Sequence, residues 1–141
     1  MSLKRSFVSP LVGLVWSATA VGAPCDNPAP VRFAHGAAAA EIAGGIARGE
    51  LACFTIDARK GQHMALTQPE GSNIVLQIYA PPWTITHRTD GIRVNGRALP
   101  GAAEGDDAKA WAGRLPASGS YLLVLGTTWG GGDYRLHLGI D

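Results

Sequence analysis

The sequence has little charge and no bias toward either sign. Lys and Arg number 12, Asp and Glu 11, and charged residues make up only 16% of its 141 positions. A coiled coil or long solvated helix would be rich in Lys and Glu. A disordered chain would carry more charge and less than the 46% hydrophobic content found here. No basic cluster stands out, which argues against a nucleic-acid partner. Cysteine is scarce, with two residues, and no Cys-x-x-Cys pair occurs. Glycine and proline are abundant instead, at 19 and 9. That balance suits short strands joined by tight turns.

Familiar catalytic signatures are also missing. Residues 21–141 hold only Ser72, Ser118 and Ser120, none within Gly-x-Ser-x-Gly. His35, His63, His87 and His137 are scattered, without the convergence that a zinc site needs. Glu104, Asp106 and Asp107 form an acidic run too poor in oxygen ligands for calcium, so it reads as a solvated segment. No phosphate-binding glycine loop is present. No metal or cofactor is expected.

The N-terminal stretch reads as a targeting segment. Lys4 and Arg5 precede an apolar run from Phe7 to Val15, and Ala18 and Ala20 satisfy the small-x-small rule for signal peptidase. The run is too short for a membrane helix of about 20 residues. The expectation is a signal peptide over residues 1–20, with a cut after Ala23 as the other position. A single domain over residues 21–141 would follow, periplasmic and without a membrane span. Export to an oxidising compartment favours a Cys25–Cys53 disulfide over two free thiols.

Strand patterns fill the rest. Ala40–Ala47, Ala52–Ala58, His63–Gln68 and Asn73–Tyr79 each lie between turn signals, after a short extended piece at Val31–Phe33. Pro81-Pro82 should end the strand before it, leaving Trp83–Arg88 as a short edge strand. Residues 89–108 look like the longest irregular stretch and the loosest part. Lys109–Leu115 follows as a strand. Tyr121–Leu125 is almost wholly apolar, as in a central strand buried on both faces. In the last strand Tyr134, Leu136, Leu138 and Ile140 alternate with outward Arg135 and His137. About eight short strands predict an all-β fold, an antiparallel sandwich or barrel.

Trp129 stands apart, because it sits among Thr127, Thr128 and three glycines, Gly130, Gly131 and Gly132. It is either a binding platform or a cover folded over a sheet edge. Trp83, after the two prolines, raises the same alternatives.

The order of phrases is distinctive. Val31-Arg32-Phe33-Ala34-His35-Gly36 precedes Ile42 to Glu50, then Phe54 to Gln62 with its Ala58-Arg59-Lys60-Gly61-Gln62 turn, then Asn73 to Tyr79. Leu115-Pro116-Ala117-Ser118-Gly119-Ser120-Tyr121 and Tyr134 to Leu138 close the series. This resembles the periplasmic inhibitors of g-type lysozyme and, more broadly, the pre-peptidase C-terminal jelly-roll domains. The resemblance implies a jelly-roll-like β-sandwich that is not an enzyme and that occludes a lysozyme cleft. It also implies a partner-binding role for Ser118, Gly119 and Tyr121, which match a Ser-Gly-x-Tyr element shared by several lysozyme-inhibitor families. Arg88, Arg93 and Arg97 are candidates for meeting cleft carboxyls, and Trp129 and Trp83 for aromatic contacts. The alternative is a non-catalytic module on the same sandwich that binds glycan or peptidoglycan.

Overall fold

The structure, a computed structural model, describes residues 24–141; the expected signal segment and its cleavage position lie outside the described residues. Nine strands are present among these residues: β1 (Ala29–Pro30), β2 (Ala39–Ile46), β3 (Ala52–Ala58), β4 (His63–Thr67), β5 (Ile74–Arg88), β6 (Gly91–Ala98), β7 (Trp111–Arg114), β8 (Gly119–Thr127) and β9 (Gly132–Ile140). They form two sheets, ordered β1-β3-β8-β5-β6 and β2-β9-β4-β7. Leaving out the two-residue β1 and counting from β2, the orders become 2-7-4-5 and 1-8-3-6. This is jelly-roll connectivity, which brings chain-distant strands together as neighbours.

The core lies between the sheets. Ile42, Phe54, Ile56, Met64, Leu66, Ile74, Leu76, Ile78, Tyr121, Leu123, Leu136 and Leu138 are all buried there. Phe54 of β3 meets Tyr134 of β9 edge-on, with ring centroids 5.9 Å apart at 75°. The alternation read in β9 puts Tyr134, Leu136 and Leu138 inside as expected, and Arg135 and His137 outside.

The larger sheet is also covered on its outer face. Cys25 and Cys53 are joined by a disulfide across 28 residues. Around it Tyr79, Leu122 and Val124 form a second apolar cluster, roofed by Trp83, Ile85, Ile92 and Val94. The β5–β6 hairpin supplies that roof. β8 is therefore buried on both faces from Tyr121 to Gly126, which explains its unbroken apolar run.

Two expectations for this region need correction. Pro81-Pro82 does not end the strand, since β5 continues to Arg88. Ala80 pairs with Arg97 and Thr84 with Asn95, so the two prolines and Trp83 sit in a bulge outside the ladder. Their missing N–H groups are not needed there. Residues 89–108 are not loose either. Gly91–Ala98 is strand β6. Beyond it Leu99 N donates to Ile78 O at 2.8 Å, and Ala102 O accepts from Ile78 N at 3.0 Å, with both Leu99 and Ala102 buried. The short extended piece also differs in place, since the β-bridge to β3 falls at Ala29–Pro30, just before Val31.

Candidate functional site

The sequence-selected residues divide between the two ends of the sandwich. β8 runs the full length from Gly119 to Thr127. At about 3.4 Å per residue its ends lie roughly 27 Å apart.

At the first end, Ser118, Gly119 and Tyr121 build a turn. Tyr121 is fully buried. Its hydroxyl donates to Ala117 O at 2.7 Å and accepts from Ala117 N at 3.1 Å. Ser118 is exposed, and its Oγ accepts from Lys60 N at 2.8 Å, tying this turn to the Arg59–Gln62 turn. Gly119 has φ +141°, and a Cβ there would lie 3.0 Å from Pro81 Cγ. Trp83 is half-buried near this end, and its Nε1 donates to Ser120 O at 2.8 Å. Its ring is a roof over the second cluster.

At the other end stand the β2–β3 turn, the β4–β5 turn and the β8–β9 loop. Trp129 is 73% exposed there and Leu51 40%, and no other large hydrophobic side chain is exposed among the described residues. Asn73 braces the tryptophan loop. Its Nδ2 donates to Trp129 O at 2.8 Å and to Gly131 O at 3.1 Å, and its backbone O accepts from Thr128 N at 3.0 Å. Thr127 Oγ1 donates to Gly130 O at 2.6 Å. On one side of the indole a depression of about 590 Å³ runs along Gln68, Ser72, Asn73 and Lys109. On the other a depression of about 340 Å³ separates Trp129 from Leu51, with Val75, Gln77 and Val124 among its lining. Lys109 Nζ donates to Ser72 O beside the first depression. Gln68 Oε1 is buried there without a hydrogen-bond partner.

The hairpin tip reaches this same end. Gly91 and Ile92 line a third depression together with Leu51, Ala52 and Asp26. Arg88 pairs across the tip with Gly91 and lies 3.7 Å from Asp90. His87 Nδ1 sits 3.4 Å from Asp26 Oδ1, holding the tip over the N-terminal segment. Arg93 and Arg97 are exposed farther along β6. Trp129 and Arg88 thus share an end, while Ser118, Gly119, Tyr121 and Trp83 belong to the opposite one. Leu51 and Asn73 were not singled out by sequence. Leu51 was readable only as a lone apolar residue after a polar turn, and Asn73 as a strand-opening amide.

The acidic run is a turn in which Asp106 Oδ2 accepts from Ala103 N at 2.9 Å. Among the described residues no group of three or more His, Cys, Asp or Glu side chains is placed to hold a metal ion.

No protein-family model matches the chain, and no curated protein sequence matches it. Solved structures do. The periplasmic inhibitor of g-type lysozyme from Aeromonas hydrophila superposes with a TM-score of 0.59 at 25% identity, covering 88% of this chain and 100% of that one. The chain has the fold of the g-type lysozyme inhibitors. The inhibitor of g-type lysozyme from Salmonella Typhimurium superposes at 0.56 with 21% identity, covering 81% of this chain and 97% of its own. A mutant of the Escherichia coli g-type lysozyme inhibitor gives 0.58 at 18%, with the same coverage. The resemblance carried by the sequence phrases is borne out at the level of the whole inhibitor fold.

Proposed function

We propose that this chain is a periplasmic inhibitor of g-type lysozyme, without catalytic activity of its own, that works by occluding the enzyme's cleft. The observation that carries the proposal is the match to the Aeromonas inhibitor, which spans the whole of that protein at 25% identity. The geometry is compatible with a blocker. Two of the serine hydroxyls, Ser72 Oγ and Ser118 Oγ, serve as acceptors for backbone N–H groups. One end of the sandwich presents a rigid, exposed indole, and exposed tryptophan is enriched where binding energy concentrates. Among the described residues no helix is long and apolar enough to cross a membrane. Export through the signal segment at residues 1–20 belongs to the same proposal.

The test is a lysis assay on suspended peptidoglycan with purified g-type lysozyme. Inhibition should be stoichiometric, reaching completion near one inhibitor per enzyme. Unchanged lysis at a large molar excess of the chain overturns the proposal. A glycan-binding module remains the second reading, because the indole beside Asn73 and Lys109 also suits a sugar platform. Binding of soluble peptidoglycan fragments without any effect on lysis would put that reading in its place.

A further inference from the structure

A cleft-occluding protein must present a particular surface to its enzyme, and the residues with candidate roles lie at opposite ends of this molecule. The end bearing Trp129 has two properties that the other lacks. Its two exposed large apolar side chains, Trp129 and Leu51, flank one depression. Its loop is ordered before any partner arrives, because the Asn73 and Thr127 bonds all hold loop backbone and leave the indole itself projecting. Presenting a side chain from a pre-ordered backbone reduces the entropy lost on docking. The neighbouring hairpin adds polar and cationic groups. Its outward face carries Thr84, Thr86 and Asn95, joined by Asn95 Nδ2 bonds to both threonine hydroxyls at 3.3 and 3.0 Å. Arg88 and Arg93 stand toward its tip, with Asp90 and Asp26 beside it and Glu50 and Glu70 nearer the indole, whereas Arg97 pairs with Ala80 at the opposite end. Arg93 has no carboxylate within 4.0 Å among the described residues.

We propose that this end is the surface that enters the saccharide cleft of the lysozyme. Trp129 takes the place of a sugar ring, Leu51 packs beside it, and Arg88 and Arg93 near the hairpin tip face the carboxylates of the cleft. The proposal rests on the inhibitor reading above. Its chemistry follows from what such a cleft must contain. A glycoside hydrolase holds pyranose rings on apolar and aromatic surfaces and works with carboxyl groups beside the scissile bond. An indole offers a flat apolar face where a ring would lie. Guanidinium groups complement carboxylates in charge and in bidentate geometry. The Ser118 end carries cations of its own in Arg59, Lys60, Arg97 and Arg114 but offers no projecting ring, since Tyr121 is buried and the half-buried Trp83 bonds Ser120 O through its indole N–H. Asn73 enters as a positioning residue, because it touches the loop rather than the enzyme.

The experiment compares inhibition constants of the wild-type chain and its variants against purified g-type lysozyme. Trp129→Ala should raise the constant by about 30-fold or more, the scale of a hot-spot truncation. Trp129→Phe, which keeps a flat ring, should fall between the two. Both should melt with the wild type, since the indole is exposed. Arg93→Glu should weaken inhibition most at low salt and less as salt screens the charge. Soluble chito-oligosaccharide should raise the wild-type inhibition constant in proportion to its occupancy of the cleft. Asn73→Ala should weaken inhibition and raise its sensitivity to temperature, and should leave lysozyme's own turnover untouched. Wild-type strength in Trp129→Ala, or a loss confined to Ser118→Ala, overturns the proposal while leaving the inhibitor reading intact. Failure of the wild-type chain to inhibit at all removes both. Saturable quenching of tryptophan fluorescence by oligosaccharide without lysozyme, lost in Trp129→Ala, would assign the indole to free glycan and also overturn the proposal.

Discussion

Tyr121 shows how one side chain can look functional in sequence and be structural in the fold. The Ser-Gly-x-Tyr phrase marks a turn, but the tyrosine hydroxyl is spent on both backbone groups of Ala117. Tyr121→Phe keeps the ring and strands those two groups. It should destabilise the protein by about 1–3 kcal/mol, read as a lower urea midpoint with an unchanged slope. Inhibition at temperatures well below the melt should not change. Trp129 is the opposite case. The glycines around it left open a platform or a cover over a sheet edge, and the indole projects at 73% exposure because residues without side chains give it little to pack against. Asn73 was illegible because its role depends on a carbonyl 56 residues away.

The β5–β6 hairpin is the element that sequence patterning misjudged. The outline of β6 was present, since Ile92 and Val94 alternate with Arg93 and Asn95. Gly91 and Gly96 broke the pattern and two prolines preceded it. The structure uses both anomalies. The bulge holds the prolines, and a Cβ at Gly96 would approach Trp83 Cβ to 3.0 Å, so the small residue permits the fold-over. The hairpin and the disulfide jointly close the second cluster. Trp83→Ala removes a half-buried indole and its bond to Ser120 O. It should lower stability by about 2 kcal/mol, below the range for a fully buried tryptophan, as measured by denaturant melts. Replacing Cys25 and Cys53 together by Ala should lower stability by about 3–4 kcal/mol on chain-entropy grounds. The same melts under non-reducing conditions would check it, and an unchanged midpoint would contradict it.

Across the whole molecule, strands with clean alternation or unbroken apolar runs were legible, and their sheet order was not. Period two fixes which face a residue takes, as in β3 and β9, but pairing β3 with β8 is a long-range choice that no local pattern encodes. The buried tyrosines tie global stability to pH. Burial raises the pKa of Tyr79, with Glu104 adding to the effect, and burial raises that of Tyr134. A phenol that holds its proton more tightly when folded contributes stability below its ordinary value of 10.0, and loses it as pH climbs through the raised folded value. The melting temperature should therefore fall above about pH 10, and less steeply in Tyr134→Phe.

The pairing of Asp141 with His63 has a practical side. Each donates its backbone N–H to the other's carbonyl, at 2.9 and 3.0 Å. β9 begins beside the Trp129 loop and finishes at the far end of the sandwich. A linker attached after Asp141 consequently departs away from the indole, whereas one joined ahead of Pro24 emerges beside Leu51 and the hairpin tip. On a sensor chip, coupling through the C-terminal side should leave the Trp129 end open to the flow. Coupling through the N-terminal side should crowd it and slow capture of the enzyme. The two orientations thus provide a mutation-free way to ask which pole of the molecule does the binding.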